Sequence, residues 1–92
     1  MLNVEWNEKK AESNLKKHGV SFDEAVSALQ DPLAVTFEDD GHYTEVRELT
    51  IGHSYRQRLI LVVHTEREGE TIRIISARQA TKRERKQYEE GI

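Results

Sequence analysis

In 92 residues the sequence has no cysteine, one proline, one tryptophan and one methionine. Without cysteine there can be no disulfide, no thiolate nucleophile and no cysteine-bound zinc. The longest apolar run, Leu59-Ile60-Leu61-Val62-Val63, falls far short of the ~20 residues with which a helix spans a bilayer. The opening residues, MLNVEW, carry no basic stretch ahead of an apolar one, so no secretory signal is read and a cytosolic address is expected by default. There is no glycine-rich phosphate loop, nucleophile elbow or HExxH, and the four histidines lack ligand-like spacing. Neither a cofactor nor a metal is expected.

What remains is a polar but clustered composition. Hydrophobic residues (36 %) and charged residues (34 %) are nearly balanced, and the clustering of the former argues for a folded chain. A single domain over residues 1–92 is expected, with a modest core and no deep enclosed pocket. The net charge of −3 speaks against a nucleic-acid partner, but its distribution does not. Residues 23–48 hold eight acids against Arg47 alone, and residues 73–88 hold Arg73, Arg78, Lys82, Arg83, Arg85 and Lys86 against Glu84. One acidic and one basic face are expected, either as two solvated surfaces or as electrostatic contact sites.

The local patterns give an order β-α-α-β-β-β-β-α. LNVEW alternates as a short strand. Asn7 is an N-cap, Ala11, Leu15 and His18 share one helical face, Lys16 to His18 suit the helix end, and Gly19 fits a left-handed C-cap. Ser21 and Glu24 form a capping box ahead of a helix carrying Phe22, Ala25, Val26 and Leu29 inward, ended by Asp31-Pro32. Leu33, Val35 and Phe37 alternate, Glu38 to Gly41 read as a polar turn, and strands follow near 46–52, 58–66 and 71–78. Glu68-Gly69 reads as a tight hairpin turn. Thr81 and Glu84 form a second capping box that opens a weakly amphipathic helix to about Glu90. The fold class is α+β: helices on a mostly antiparallel sheet of four to five strands.

Register suggests where chemistry could gather. A turn at Glu68-Gly69 pairs His64 with Arg73 and puts Glu66 on the same face. A four-residue loop at 54–57 pairs Arg47 with His64, giving a row of Arg47, His64 and Arg73, although a loop longer or shorter by one residue would move Arg47 to the other face. Histidine can serve as acid or base and arginine forks hold phosphate, as RNA cleavage without a metal requires. The plainer account has His64 ending a buried strand beside a Glu66–Arg73 ion pair, and spacing alone favours it. His18 reads as a cap and packing residue, and His42 and His53 as solvated loop residues. Tyr88 is equally a base-stacking or proton-donating group and the core anchor of the last helix.

Taken together, the motifs resemble the BrnT toxin family. The resemblance runs from about residue 4 to 91: Trp6 before a capped helix, Lys17-His18-Gly19-Val20-Ser21-Phe22, Glu24-Ala25, Asp31-Pro32-Leu33, Arg47 ahead of Thr50-Ile51-Gly52, Arg58-Leu59, Ile74-Ile75-Ser76-Ala77-Arg78, Ala80, Arg83-Glu84-Arg85 and Tyr88-Glu89. It implies a RelE-like fold and a ribonuclease toxin that arrests translation. It also implies sequestration by a ribbon-helix-helix antitoxin, with operator DNA reached only through that partner. Carried over by motif position, Arg47, His64, Arg78, Arg83 and Tyr88 are the candidate catalytic residues. Lys17 and His18 form a second tier and, with Arg73, Lys82, Arg85 and Lys86, the candidate RNA contacts. The acidic balance departs from the basic one usual for ribonuclease toxins. The alternative it favours is a non-catalytic co-repressor that modulates the antitoxin's binding to operator DNA.

Overall fold

The computed structural model describes residues 3–39, 46–67 and 70–91. Its elements are β1 (Asn3–Glu5), α1 (Glu8–His18), α2 (Phe22–Leu29), β2 (Val35–Asp39), β3 (Arg47–His53), β4 (Leu59–Arg67), β5 (Thr71–Gln79) and α3 (Lys82–Glu90). The strands form one sheet in the order β1-β5-β4-β3-β2, antiparallel except where β1 runs parallel to β5. The architecture is α+β, with three helices on a five-stranded sheet as the element order implied.

The helix ends follow from local chemistry. The Asn7 side chain accepts from the Lys10 backbone N–H at 3.1 Å, and Gly19 takes φ 69°, returning its N–H to the Leu15 carbonyl at 2.8 Å. Glycine carries no Cβ penalty there. Ser21 caps α2 through the Glu24 N–H at 3.0 Å. Its capping box is only half made, because the Glu24 carboxylate is drawn elsewhere. At α3 both halves form: the Glu84 N–H donates to Thr81 Oγ1 and the Thr81 N–H to Glu84 Oε1.

The sheet separates two apolar clusters. Under α1 and α2 lie Val20, Phe22, Ala25, Ala28, Ile60, Val62, Ile74 and Ala77, with Trp6 edge-on to Phe22. On the opposite face Ile51, Leu59 and Leu61 pack with Phe37, Leu49, Ala80 and Tyr88 of α3. A bulge between β4 and β5 pairs Val63 with Ser76 but His64 with Ile74. The extra residue puts Ile74 and Ala77, three apart, on the same face, so both reach the first cluster.

The face assigned to α1 needs correction. Leu15 is 51 % exposed, whereas Asn14 is only 6 % exposed. The Asn14 amide behaves as a strand neighbour for β5: Nδ2 donates to the Ala77 carbonyl (2.8 Å) and Oδ1 accepts from the Ala77 N–H (3.1 Å). Nδ2 also donates to the Val20 carbonyl at 2.9 Å. Local backbone polarity outweighs apolar periodicity here, since unpaired buried amides are costly. Asn14→Ala is therefore expected to cost about 1–3 kcal/mol, while Leu15→Lys stays within about 0.5 kcal/mol. Denaturant titration of the two variants checks the order.

Candidate functional site

Both hairpins carry one more residue than the sequence reading gave them. Five residues, 54–58, separate β3 from β4, and three, 68–70, separate β4 from β5. Gln57 and Glu70 adopt the left-handed region, at φ 59° and 60°. The Glu68-Gly69 turn itself lies outside the described residues, as does His42. The register on either side is Arg67 with Thr71, Thr65 with Arg73, His64 with Ile74, and Glu48 with His64. The expected pairings of His64 with Arg73 and with Arg47 do not form. A slip of one residue turns a strand's side chains to the other face.

The two slips compensate each other. Arg47 follows Glu48 in the ladder, so it shares a face with Leu49, Ile51 and Thr65, and Arg73 lies opposite Thr65. Arg47 and Arg73 thus share a face after all, with Thr65 between them in place of His64. That face also bears Arg78, opposite Leu61, then His53 at the end of β3, and α3 itself. His64 faces the other way, toward the α1–α2 layer. Lys17 and His18 lie on that side too, lining a shallow groove with Ser13, Ile75 and Ser76.

His64 is only 4 % exposed. Its Nε2 lies 2.7 Å from Thr50 Oγ1, which in turn lies 2.8 Å from Thr36 Oγ1. Nδ1 has no hydrogen-bond partner among the described residues. Burial lowers the imidazole pKa, so the fold holds it neutral. The unfolded chain takes up a proton below the ordinary histidine value that the folded chain resists, so stability falls as pH drops through that range. His64→Gln removes this term. Its stability deficit relative to wild type should narrow between about pH 7.5 and 5.5, as read by thermal unfolding at both values; a constant gap would show that His64 is not held neutral.

On the α3 face Arg47, Arg73 and Arg78 each meet an acid. Arg73 Nη1 pairs with Glu5 Oε2 at 3.1 Å, and Arg78 donates two bonds to the Glu84 carboxylate at 2.8 and 2.9 Å. Asp39 stands opposite Arg47 in the ladder. Lys82, Arg83, Arg85 and Lys86 differ: all four are exposed, and none enters an ion pair with a described residue. Set against the exposed Glu89 and Glu90 of the last turn, these four still leave α3 with an excess of positive charge.

Tyr88 is both core anchor and polar group. Its ring packs on the second cluster and meets His53 edge-on, centroids 5.1 Å apart. Its hydroxyl donates to Asp31 Oδ2 at 2.7 Å and lies 3.1 Å from His53 Nδ1. Asp31 Oδ2 also accepts the His53 backbone N–H (2.8 Å), and Oδ1 accepts that of Leu33 (2.9 Å). Burial alone would raise the Asp31 pKa, but these bonds and the nearby His53 outweigh it and hold the carboxyl below its ordinary value. Burial and the Asp31 carboxylate push the Tyr88 phenol up to about 12, so it remains a protonated donor. His53 is thus the end of a strand and not a loop residue, although its side chain remains partly solvated. The signal that could have found it is its position after Gly52, the one β3 residue with no side chain to separate the strand from α2.

A further group, Glu24 with Arg58, is architectural. Glu24 is 1 % exposed. Arg58 Nη2 donates to Glu24 Oε1 and Arg58 Nε to Oε2, which also accepts the Ser54 hydroxyl at 2.7 Å. Arg58 Nη2 reaches on to the Gly19 carbonyl at 3.0 Å, tying the 54–58 loop to the start of α2.

The family model for the ribonuclease toxin BrnT of type II toxin–antitoxin systems matches residues 6–84. Among solved structures the chain is similar to the 1.1 Å crystal structure of the Brucella abortus ribonuclease toxin BrnT. The two are 25 % identical with a TM-score of 0.68, over 89 % of this chain and 100 % of that one. None of the curated proteins compared with it matches. Fold and motifs agree with that match along most of its length, and the chain belongs to the BrnT family of ribonuclease toxins of type II toxin–antitoxin systems.

Proposed function

We propose that this toxin cleaves RNA on the sheet face that carries α3, by acid–base chemistry without a metal, and that translation stops as a result. The observation that carries the reading is the gathering of Arg47, Arg73, Arg78, Tyr88 and the four unpaired cations of α3 on one side of the sheet. Lys82, Arg85, Lys86 and Arg73 hold the RNA backbone. Arg47 and Arg83 supply guanidinium forks of the kind a developing phosphorane needs, and Arg78 joins them by exchanging the Glu84 carboxylate for the phosphate. Among the described residues no three His, Asp or Glu side chains form a metal-binding set, and general acid–base catalysis requires none. His64, Lys17 and His18, on the other side, stay outside the proposed site.

A ribbon-helix-helix antitoxin with an acidic or apolar segment covers the same face, and operator DNA is reached only through it. No described helix is long and apolar enough to cross a membrane, and the cytosol, where RNA and ribosomes are, is the proposed place of action. The test is cleavage of a single-stranded RNA by purified toxin at several salt concentrations. Phosphate contacts release counterions, so activity at subsaturating RNA should fall steeply as salt rises toward physiological strength. Replacing Arg83, Arg85 and Lys86 together by alanine should flatten that slope. Salt-independent cleavage would remove α3 from the proposal.

A further inference from the structure

We infer that His53 is the proton-transfer group of RNA cleavage, with Tyr88 and Asp31 as the residues that position it. The inference rests on the ribonuclease reading above and adds to it the residue that handles the 2′-hydroxyl proton. Asp31, His53 and Tyr88 come from three separate parts of the chain: the turn after α2, the last residue of β3, and the last turns of α3. They meet at one carboxylate oxygen. Asp31 Oδ2 takes the Tyr88 hydroxyl at 2.7 Å and the His53 backbone N–H at 2.8 Å, and lies 3.9 Å from His53 Nδ1.

Hydrogen-bond direction then settles the tautomer. The Tyr88 proton is committed to Asp31, so at 3.1 Å the phenolic oxygen accepts from His53 Nδ1–H. Nε2 is left as the unprotonated nitrogen, free to act as a base. The His53 side chain is 44 % exposed, so a ribose hydroxyl can reach it. A largely enclosed carboxylate, a relay and a half-exposed imidazole repeat the logic by which an acid orients a catalytic histidine and stabilises its imidazolium. Exposed cations lie close by in sequence: Arg85 is one helical turn before Tyr88, and Arg56, which also lies 4.0 Å from Glu24, is in the loop after His53.

The step balances simply. His53 Nε2 takes the 2′-hydroxyl proton as the 2′-oxygen attacks phosphorus, and the bond from phosphorus to the 5′-oxygen breaks. A 2′,3′-cyclic phosphate and a 5′-hydroxyl result, with water protonating the leaving oxygen. The charge left on the imidazolium is met by Asp31 through Tyr88.

The experiment measures kcat and KM for purified wild type, His53→Gln, His53→Gly and Tyr88→Phe on one RNA, with thermal unfolding of each. His53→Gln should lower kcat by about 10²-fold or more with KM within about twofold of wild type. Added imidazole should restore part of the His53→Gly rate, which a merely structural histidine would not allow. Tyr88→Phe keeps the ring contacts and should lower kcat, by about tenfold, without raising KM. Wild-type kcat in a folded His53→Gln protein overturns the assignment of His53 alone, as does a His53→Gly protein that imidazole leaves inactive. A wild type that leaves RNA intact overturns the ribonuclease reading, and the inference with it.

Discussion

Arg58→Met should cost about 3–5 kcal/mol, the usual size when one partner of a buried ion pair is removed, and leave the protein mostly unfolded at 37 °C. Glu24 is almost entirely enclosed, whereas the Arg58 side chain is 23 % exposed. The substitution therefore leaves a carboxylate in the interior with Ser54 as its main remaining donor. Burial alone would raise the Glu24 pKa, but the bonds from Arg58 and Ser54, with the charges of Arg58 and Arg56, hold it below the ordinary value. A folded-state value below the unfolded one contributes stability above the ordinary glutamate range, about 4.3, which is lost as pH falls through the folded value. Arg58→Met should therefore be most harmful near neutrality and converge on wild type in acid. Pairing it with Glu24→Leu should recover most of the loss, because an apolar pair no longer buries a charge. Thermal unfolding across pH reads all three, and an Arg58→Met protein as stable as wild type at pH 7 would show that the pair carries no weight.

Gly52→Ala is the second large effect. A Cβ built at Gly52 would sit 2.2 Å from the Ala28 carbonyl oxygen and 3.1 Å from its carbon, with Asp31 Cβ at 3.2 Å. These neighbours are the C-terminal turn of α2 and the residue that holds Tyr88, so no flexible side chain can give way. The helix must lift from β3, at about 3 kcal/mol or more, the upper end of the range for over-packed cores. Activity should fall further than stability alone explains, because Asp31, His53 and Tyr88 move apart together. Gly19→Ala is the control: its φ of 69° is strained for alanine, but nothing lies within 4 Å of the added atom, and the cost should stay near 1 kcal/mol. Equal melting temperatures for Gly52→Ala and wild type would mean that the helix does not sit so close to the strand.

These two positions show what a single sequence reveals and what it hides. Asn7, Gly19, Ser21 and Thr81 were legible because a cap is decided within four residues by the side chain itself. The strands were legible because alternation survives an error of one residue at either end. Register was not. Arg58 looks like the start of β4, yet its side chain is drawn to Glu24, 34 residues earlier, and the loop gains a residue. A two-residue turn at Glu68-Gly69 would let Glu70 pair across the hairpin, yet it turns left-handed. Each costs one position, and one position exchanges the faces of a strand, which is why His64 and Arg73 parted. The basic α3 was plain from composition. The Asp31–His53–Tyr88 cluster was not, because its members lie 22 and 35 residues apart and no local pattern joins them.

The parallel pairing of β1 with β5 bears on how the chain reaches this shape. Glu5 and Arg73 are neighbours across 68 residues, whereas β3 and β4 are joined by a short loop and can pair locally. Closing a long loop costs entropy before its contacts return anything, so distant parallel pairing comes late and slows folding. The meander of β2 to β5 can be in place while the first strand is still searching for its berth. Tyr88 lies later in the chain than any of these strands. A chain halted at the meander would have its sheet and His53, but neither the phenol that orients the imidazole nor the cations of α3, so it would be a folding intermediate without the proposed chemistry.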